Sequence, residues 1–329
     1  MRSKFFAALL AAAAFLLPLH GQDAKAQDVW PTKQVTFVVP FGAGGTTDIL
    51  ARLIANHMQQ KFGKPFIIEN RPGAGGNTGS AYVARQPADG HTILFCSVST
   101  HAISQFVYPT MPFDPVKDFE PVGLVSELAN MLVINPSKVP VKDFKEFVAY
   151  VKANPDKLTF GSSGIATSQH VAGELFKMMT GTKMTHVPYR SSGDQMNAVL
   201  GGHLDCTFDN TVVTLPQVQA GTMKALAVTS ATRLKAAPDV PTVAEFLPGF
   251  LATTWQGLLV PAGTPRPVVD AISKEQLRVY ALPEVKQKFE ELGAIMPDTS
   301  PDKFRDFMVS ERKKWSAVVD AAKMKLPAQ

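Results

Sequence analysis

Two cysteines in 329 residues are too few for a disulfide framework. Cys96 and Cys206 fall in apolar runs in different halves of the chain, which reads as two separate buried thiols rather than a bridge. No Cys-x-x-Cys, His-Glu-x-x-His or Cys/His cluster occurs, so neither a structural nor a catalytic metal is expected. Gly-x-x-x-x-Gly-Lys-Ser/Thr is also missing, which excludes a P-loop. An excess of one charge is lacking too: 33 basic against 28 acidic residues leave +5. The tightest basic run, Arg312-Lys313-Lys314, reads as a solvated helix face, so nucleic acid is not an expected partner. Beyond the N-terminus no apolar run is long enough to span a bilayer. Repeats and low-complexity tracts are absent.

The N-terminus has its own pattern. Arg2 and Lys4 precede an apolar stretch from Phe5 to Leu19, and Ala24-Lys25-Ala26 forms an A-x-A site. Residues 1–26 therefore read as a secretory signal peptide cut before Gln27, with export to the periplasm.

What the chain has in abundance is one local device. Four times an apolar run ends in a Gly/Ser/Thr loop that opens a helix: Thr36–Asp48, Ile67–Ser80, Thr92–Ser104 and Leu158–His170. A helix start presents unpaired N–H groups and a partial positive charge, which together hold an anion. Several such starts facing one cleft would receive a carboxylate without any lysine.

The elements alternate as strands and helices. Val35–Pro40 is nearly continuous apolar, as in a strand buried on both faces. The following helix stripes Ile49, Leu50, Leu53, Ile54 and Met58 and stops at Gly63. Strands follow at Phe66–Glu69 and Thr92–Cys96, with a short helix starting near Thr78. A second unit places strands at Met131–Ile134, Leu158–Phe160, Met184–Pro188, Leu204–Phe208 and Lys224–Thr229. Its helices are Val141–Asn154, one through Val171 and Met179, Asp194–Leu200 and Val212–Ala220. A Pro-rich loop, Ala236–Gly249, leads to a strand at Thr254–Val260. Helices Pro267–Tyr280, Glu284–Leu292 and Asp302–Met324 end the chain. Two α/β units whose strand-to-helix turns face one another would enclose a small molecule.

Five runs in order, VPFGAGGTTDILAR, ENRPGAGGNTGS, DGHTILFCSVSTHAIS, GSSGIATSQHVAGELF and VPYRSSGDQMNAVLGGHLDCTFDN, resemble the Bug proteins, the TctC-type periplasmic solute-binding components of tripartite tricarboxylate transporters. The resemblance spans nearly all of the chain after residue 26. It implies an α/β, two-lobe Venus-flytrap fold, each lobe a mostly parallel sheet flanked by helices. Lobe one would be 27–127 plus 251–329 and lobe two 128–250, with crossovers near Val125–Met131 and Phe250–Thr254. It further implies a monomer without cofactor that performs no chemistry. Such a protein binds a dicarboxylate, tricarboxylate or aromatic acid between loops of both lobes, partly through water, and delivers it to membrane transporter subunits. Two departures stand out: Arg190-Ser191-Ser192-Gly193 follows Pro188-Tyr189 where the family has a basic residue and then glycines, and Ile165-Ala166 replaces a small polar pair.

The candidate ligand residues follow from the loops. In the first, the amides of Ala43, Gly44, Gly45 and Thr46 face an anion, Thr46 caps the helix and Phe41 walls the pocket. A branched residue at Gly44 is expected to block the guest without loss of ligand-free stability. Asp48 is read as a complement to the helix dipole. Ser99 and Thr100 end the third strand. Ser162, Ser163, Thr167 and His170 offer hydroxyls and amides, with loop packing by a neutral imidazole as the other reading of His170. Arg190 fits a second ligand carboxylate, lobe closure or a surface ion pair. Asp209 fits a ligand hydroxyl or amine; with Asn210 it equally fits a cap on the helix at Thr211. The competing function is a secreted α/β enzyme, a hydrolase or a nucleotide-dependent one. Against it, GSSG is not Gly-x-Ser-x-Gly, and Thr47 and Thr78 occupy the third-glycine positions of dinucleotide-like loops, although Glu69 stands where a ribose acid would.

Overall fold

A computed structural model describes residues 30–327. The signal peptide expected over 1–26 lies outside the described residues. In chain order the elements are β1 Val35–Val39, α1 Thr46–Phe62, β2 Phe66–Asn70, α2 Asn77–Val83, β3 Thr92–Ser97, α3 Ser104–Val107, β4 Phe119–Leu128, β5 Asn130–Ile134, α4 Phe144–Ala153, β6 Thr159–Ser162 and α5 Ser168–Thr180. They continue as β7 Thr185–Pro188, α6 Ser192–Leu200, β8 Cys206–Asn210, α7 Thr211–Gln219, β9 Lys224–Val228, β10 Thr254–Pro261, α8 Arg266–Ala281, α9 Pro283–Glu291, β11 Ala294–Ile295 and α10 Pro301–Ala321.

The strands form two sheets. The first runs β11-β4-β10-β3-β1-β2 and the second β7-β6-β8-β5-β9. Three strands in each, β2-β1-β3 and β7-β6-β8, are parallel, as helical crossovers require. β10 is antiparallel to β3 and β4, and β5 is antiparallel to β8 and β9. The sheets are therefore mixed rather than mostly parallel, because β4, β5 and β10 carry the chain between them. The first sheet takes strands from both ends of the described chain and the second takes its middle.

Burial follows the pattern of the runs. Val35, Phe37, Val38 and Val39 are all fully buried, packed from both faces. α1 ends at Gly63, whose φ of 62° is the left-handed cap that glycine adopts without strain. β4 escapes sequence detection because Pro121 and Gly123 interrupt its pattern. In the fold it pairs on both sides, with register shifts against β10. Gly123 leaves room for α8: a Cβ there would stand 2.7 Å from Gln276 Oε1. Cys96 and Cys206 are free and buried, one in each sheet.

The chain passes between sheets at Ala129, between β4 and β5, and returns ahead of β10. A buried polar knot ties the two passages. The Asn130 amide donates to Thr229 Oγ1 at 2.9 Å, Thr229 Oγ1 donates to Ala252 O at 2.9 Å, and Asn130 Nδ2 donates to Ala252 O at 2.8 Å. These bonds tie the two crossovers to each other.

α10 braces the first sheet. The buried Glu311 carboxylate accepts from both Trp255 Nε1 (3.0 Å) and Trp315 Nε1 (2.9 Å). The tip of the Phe304 ring reaches Gly257 of β10, where a Cβ would fall 2.1 Å from Cζ. Phe304→Ala is expected to cost about 3–5 kcal/mol through the cavity it leaves, and Gly257→Ala about 1–3 kcal/mol through overpacking. Because the two share one space, the double variant in urea unfolding should cost less than their sum; strict additivity would refute the contact.

Candidate functional site

The two sheets meet through backbone. The Gly42 amide donates to Arg190 O at 3.1 Å. A Cβ on Gly42 would stand 2.9 Å from Ser191 Cβ, one on Gly193 3.3 Å from Ala43 O, and one on Gly75 2.2 Å from Ile165 O. Tyr108 Oη adds a bond to Ile165 O at 3.5 Å. Only residues without side chains permit this approach, and it closes the cleft.

Inside the contact lies a small core cavity of about 20 Å³, room for one water-sized group. From the first sheet it is lined by Phe41, Gly45, Thr46, Thr47, Ser97 and Ser99, with Thr254 and Gln256 of β10. From the second it is lined by Ser163, Thr167, Ser168, Gln169, Ser192 and Asn210. Four helices begin here, α1 after Gly45, α5 after Thr167, α6 after Ser191 and α7 after Asn210. The first-turn amides of α1, at Thr46 and Thr47, have no carbonyl to serve within their helix. Thr46 Oγ1 and Ser97 Oγ are buried with no hydrogen-bond partner among the described residues; Thr46 therefore does not cap α1 as expected, because Gly45 holds the cap position and Thr46 is already the first helical residue. Unpaired buried hydroxyls carry a free-energy cost unless a guest accepts from them. No charged side chain lines the core. The attraction for an anion comes from helix starts and hydroxyl dipoles.

Phe41 and Ser163 also wall a second chamber of about 200 Å³. Tyr108, Ile165 and Tyr189 make its sides, the Gly73–Gly76 loop its floor, and Arg190 stands at its edge. Arg190 is exposed, and its guanidinium makes no ion pair or hydrogen bond with the described residues, although its carbonyl binds Gly42.

The structure places the expected residues unevenly. Phe41, Gly45, Thr46, Ser99, Ser163 and Thr167 stand together at the core, and Arg190 at the outer chamber. Ala43 and Gly44 are exposed outside the cavity. The Gly44 amide is already used, donating to Asp48 Oδ2 at 3.0 Å. Gly44 also sits at φ 75°, so a branched residue there strains the backbone and would lower ligand-free stability as well. Asp48 does more than complement a dipole: burial pushes its pKa up, and bonds from Arg52, Gly44 and Asn70 more than offset this and hold it below the usual range. Thr100 Oγ1 turns to Ser97 O and His101 Nδ1. Ser162 Oγ is taken by His186 Nε2 at 2.6 Å and Gly164 O at 2.8 Å. The Ser163 amide serves Gln169 Oε1. Asp209 is fully buried behind the lining, not in it. Asn210 stands at the cap position of α7 without a side-chain cap bond, because its amide group reaches Asn130 of the hinge instead.

Sequence reasoning missed Thr47, Ser97, Ser168, Gln169, Ser192, Thr254 and Gln256. Ser168 and Gln169 had a signal, since they form the first turn after the cap at Thr167. Ser97 and Gln256 had none; only the β3–β10 pairing sets them opposite each other.

Two mixed sheets joined by two crossovers, with a closed polar cleft between them, define a two-lobe binding protein of the periplasmic type. The family model described as "Tripartite tricarboxylate transporter family receptor" matches residues 50–324, and the chain belongs to that family. It is 32% identical to protein BugT of Bordetella pertussis over 301 residues, covering 91% of this chain and 92% of BugT. The solved structure of R. palustris Rpa4515 with adipate superposes with a TM-score of 0.87 at 36% identity, covering 89% of this chain and 98% of that one. MatC (Rpa3494) from Rhodopseudomonas palustris with bound malate gives 0.84 at 33% identity, covering 88% and 99%.

His170 lies outside the cavity lining and holds the loop. Its Nδ1 accepts from the Ala166 amide at 3.3 Å, and its ring stacks on His186 at 3.9 Å. Burial, with the neighbouring His186 and Lys177 charges, lowers its pKa to about 3; burial and Lys177 lower that of His186 to about 4. A histidine held neutral contributes stability that is complete above its unfolded value of 6.5 and is lost as pH falls toward the folded values. Imidazole NMR signals should show both rings still neutral at about pH 5, with thermal stability declining below about 6.5. A midpoint near 6.5 for either ring would refute the packed, neutral pair.

Proposed function

We propose that this chain is an exported receptor that captures a small organic carboxylate between its lobes for membrane transporter subunits. One observation carries the reading: two unpaired buried hydroxyls, Thr46 and Ser97, face a charge-free pocket at four helix starts. They need an acceptor, and a carboxylate supplies one without the desolvation of a lysine. The carboxylate head takes the core as the lobes ease around it, and the body occupies the apolar chamber. Arg190 meets the second anionic group of a dicarboxylate or tricarboxylate there, while the apolar walls at Phe41, Tyr108 and Tyr189 suit the ring of an aromatic acid. Adipate and malate in the related structures are acids of this class.

The lobes are 27–127 plus 251–329 and 128–250, as the two sheets and the Ala129 crossover support. The protein works as a monomer in the periplasm after cleavage before Gln27, and nucleic acid has no part in its function. No titratable side chain lines the core, so a guest meets neither acid nor base there and leaves unchanged.

Calorimetric titration with benzoate, adipate, malate and citrate tests the class; heat from sugars or phosphate esters alone would overturn it. Arg190→Ala should weaken dicarboxylates by about 1.5–3 kcal/mol and leave a monocarboxylate nearly unchanged. Gly42→Ala carries no backbone strain but meets Ser191 on closure. It should weaken binding at least about tenfold while ligand-free melting stays near wild type. An equal loss of ligand-free stability would show that Gly42 serves folding rather than closure.

A further inference from the structure

Behind the core lies a carboxylate that faces no cation. Asp209, near the end of β8, is fully buried. Its Oδ1 accepts from Ser192 Oγ at 3.0 Å and from the Asn210 amide at 2.7 Å. Gln169 Nε2 also donates to Oδ1, and Gln195 Nε2 donates to Oδ2. All four donors are neutral. Its register partner on β5 is Met131, and neither β6 nor α7 carries a titratable group. Those on the remaining neighbours turn elsewhere: on α5 His170 stacks on His186 and Glu174 pairs with Lys177, and on α6 Asp194 is exposed. Burial raises the Asp209 pKa to about 6, with the hydrogen bonds offsetting only part of that cost.

Ser192 links this group to the cavity it lines. Its Oγ accepts from Gln169 Nε2 at 3.0 Å and spends its single proton on Asp209. As arranged, it has nothing to donate to a guest. An arriving carboxylate would put a second negative charge one side chain away from Asp209 with no cation between them. Like charges in a buried site favour the protonated form of one of them.

We propose that carboxylate capture is coupled to uptake of a proton by Asp209, and that this proton turns the Ser192 hydroxyl from Asp209 toward the guest. A solvent proton bonds to Oδ1. The new O–H donates to Ser192 Oγ, which keeps its bond from Gln169. The O–H of Ser192, released, donates to the ligand carboxylate. No other bond changes. The inference rests on the receptor reading above and deepens it, since such a receptor loads best in mildly acidic surroundings.

The test is calorimetry of the wild-type protein with adipate, malate and benzoate in two buffers of different ionisation enthalpy near pH 7. Net uptake should approach one proton per ligand, and affinity should weaken by up to about tenfold per pH unit as pH rises above the ligand-free value of Asp209. Ser192→Ala should weaken binding more at about pH 6 than at about pH 8, where the hydroxyl is committed inward in any case. Binding without proton exchange and with a flat pH profile overturns the coupling and leaves the receptor reading standing. No binding of any of the three acids across that range overturns both.

Discussion

The lobes touch where glycines let the two main chains come close, and the site depends on that. Gly42 against Ser191, Gly75 against Ile165 and Gly193 against Ala43 let main chain meet main chain. The approach brings four helix starts and a row of hydroxyls around about 20 Å³. A methyl group at Gly42 or Gly75 would hold the surfaces apart, and the donors would face solvent instead of one another. Many of the glycines in the Gly-rich loops therefore serve the lobe contact more than direct contact with a guest.

A second constraint is electrostatic. Anion sites commonly place a lysine or arginine against the charge. Here the core has none, and two of its lining side chains, Gln169 and Ser192, are bonded to a buried carboxylate, Asp209. Neutral donors must do all the work, so their direction matters. Gln169 is spent on Ser163, Ser192 and Asp209, Thr167 on Gly164, and Ser192 on Asp209. The first lobe keeps its donors free at Thr46 and Ser97, whereas the second has most of its own committed. The asymmetry leaves free donors on the first lobe and committed ones on the second.

The hinge shares this polar system. Asn210 ends β8 at the cavity and hands its amide to Asn130, which is bonded in turn to Thr229 and Ala252. A change in the second lobe's lining thus lies one hydrogen bond from the crossover strands. The cavity lining and the crossovers are joined by an unbroken run of hydrogen bonds.

The alternation of elements, the buried parallel strands and the helix stop at Gly63 were legible in the sequence, because apolar period and glycine act over a few neighbouring residues. The family was legible as well, in five ordered runs. What those runs could not show was direction and partnership. Whether Gly44 or Thr47 offers its amide, whether Ser162 faces a guest or His186, and whether Asp209 touches a ligand or holds the residues that do, all depend on which side chain claims each donor first. β4 hid behind Pro121 and Gly123, and Ser97 met Gln256 only through strand pairing. Local chemistry is written along the chain, but hydrogen-bond ownership is settled between segments far apart in it, and only the tertiary structure decides that.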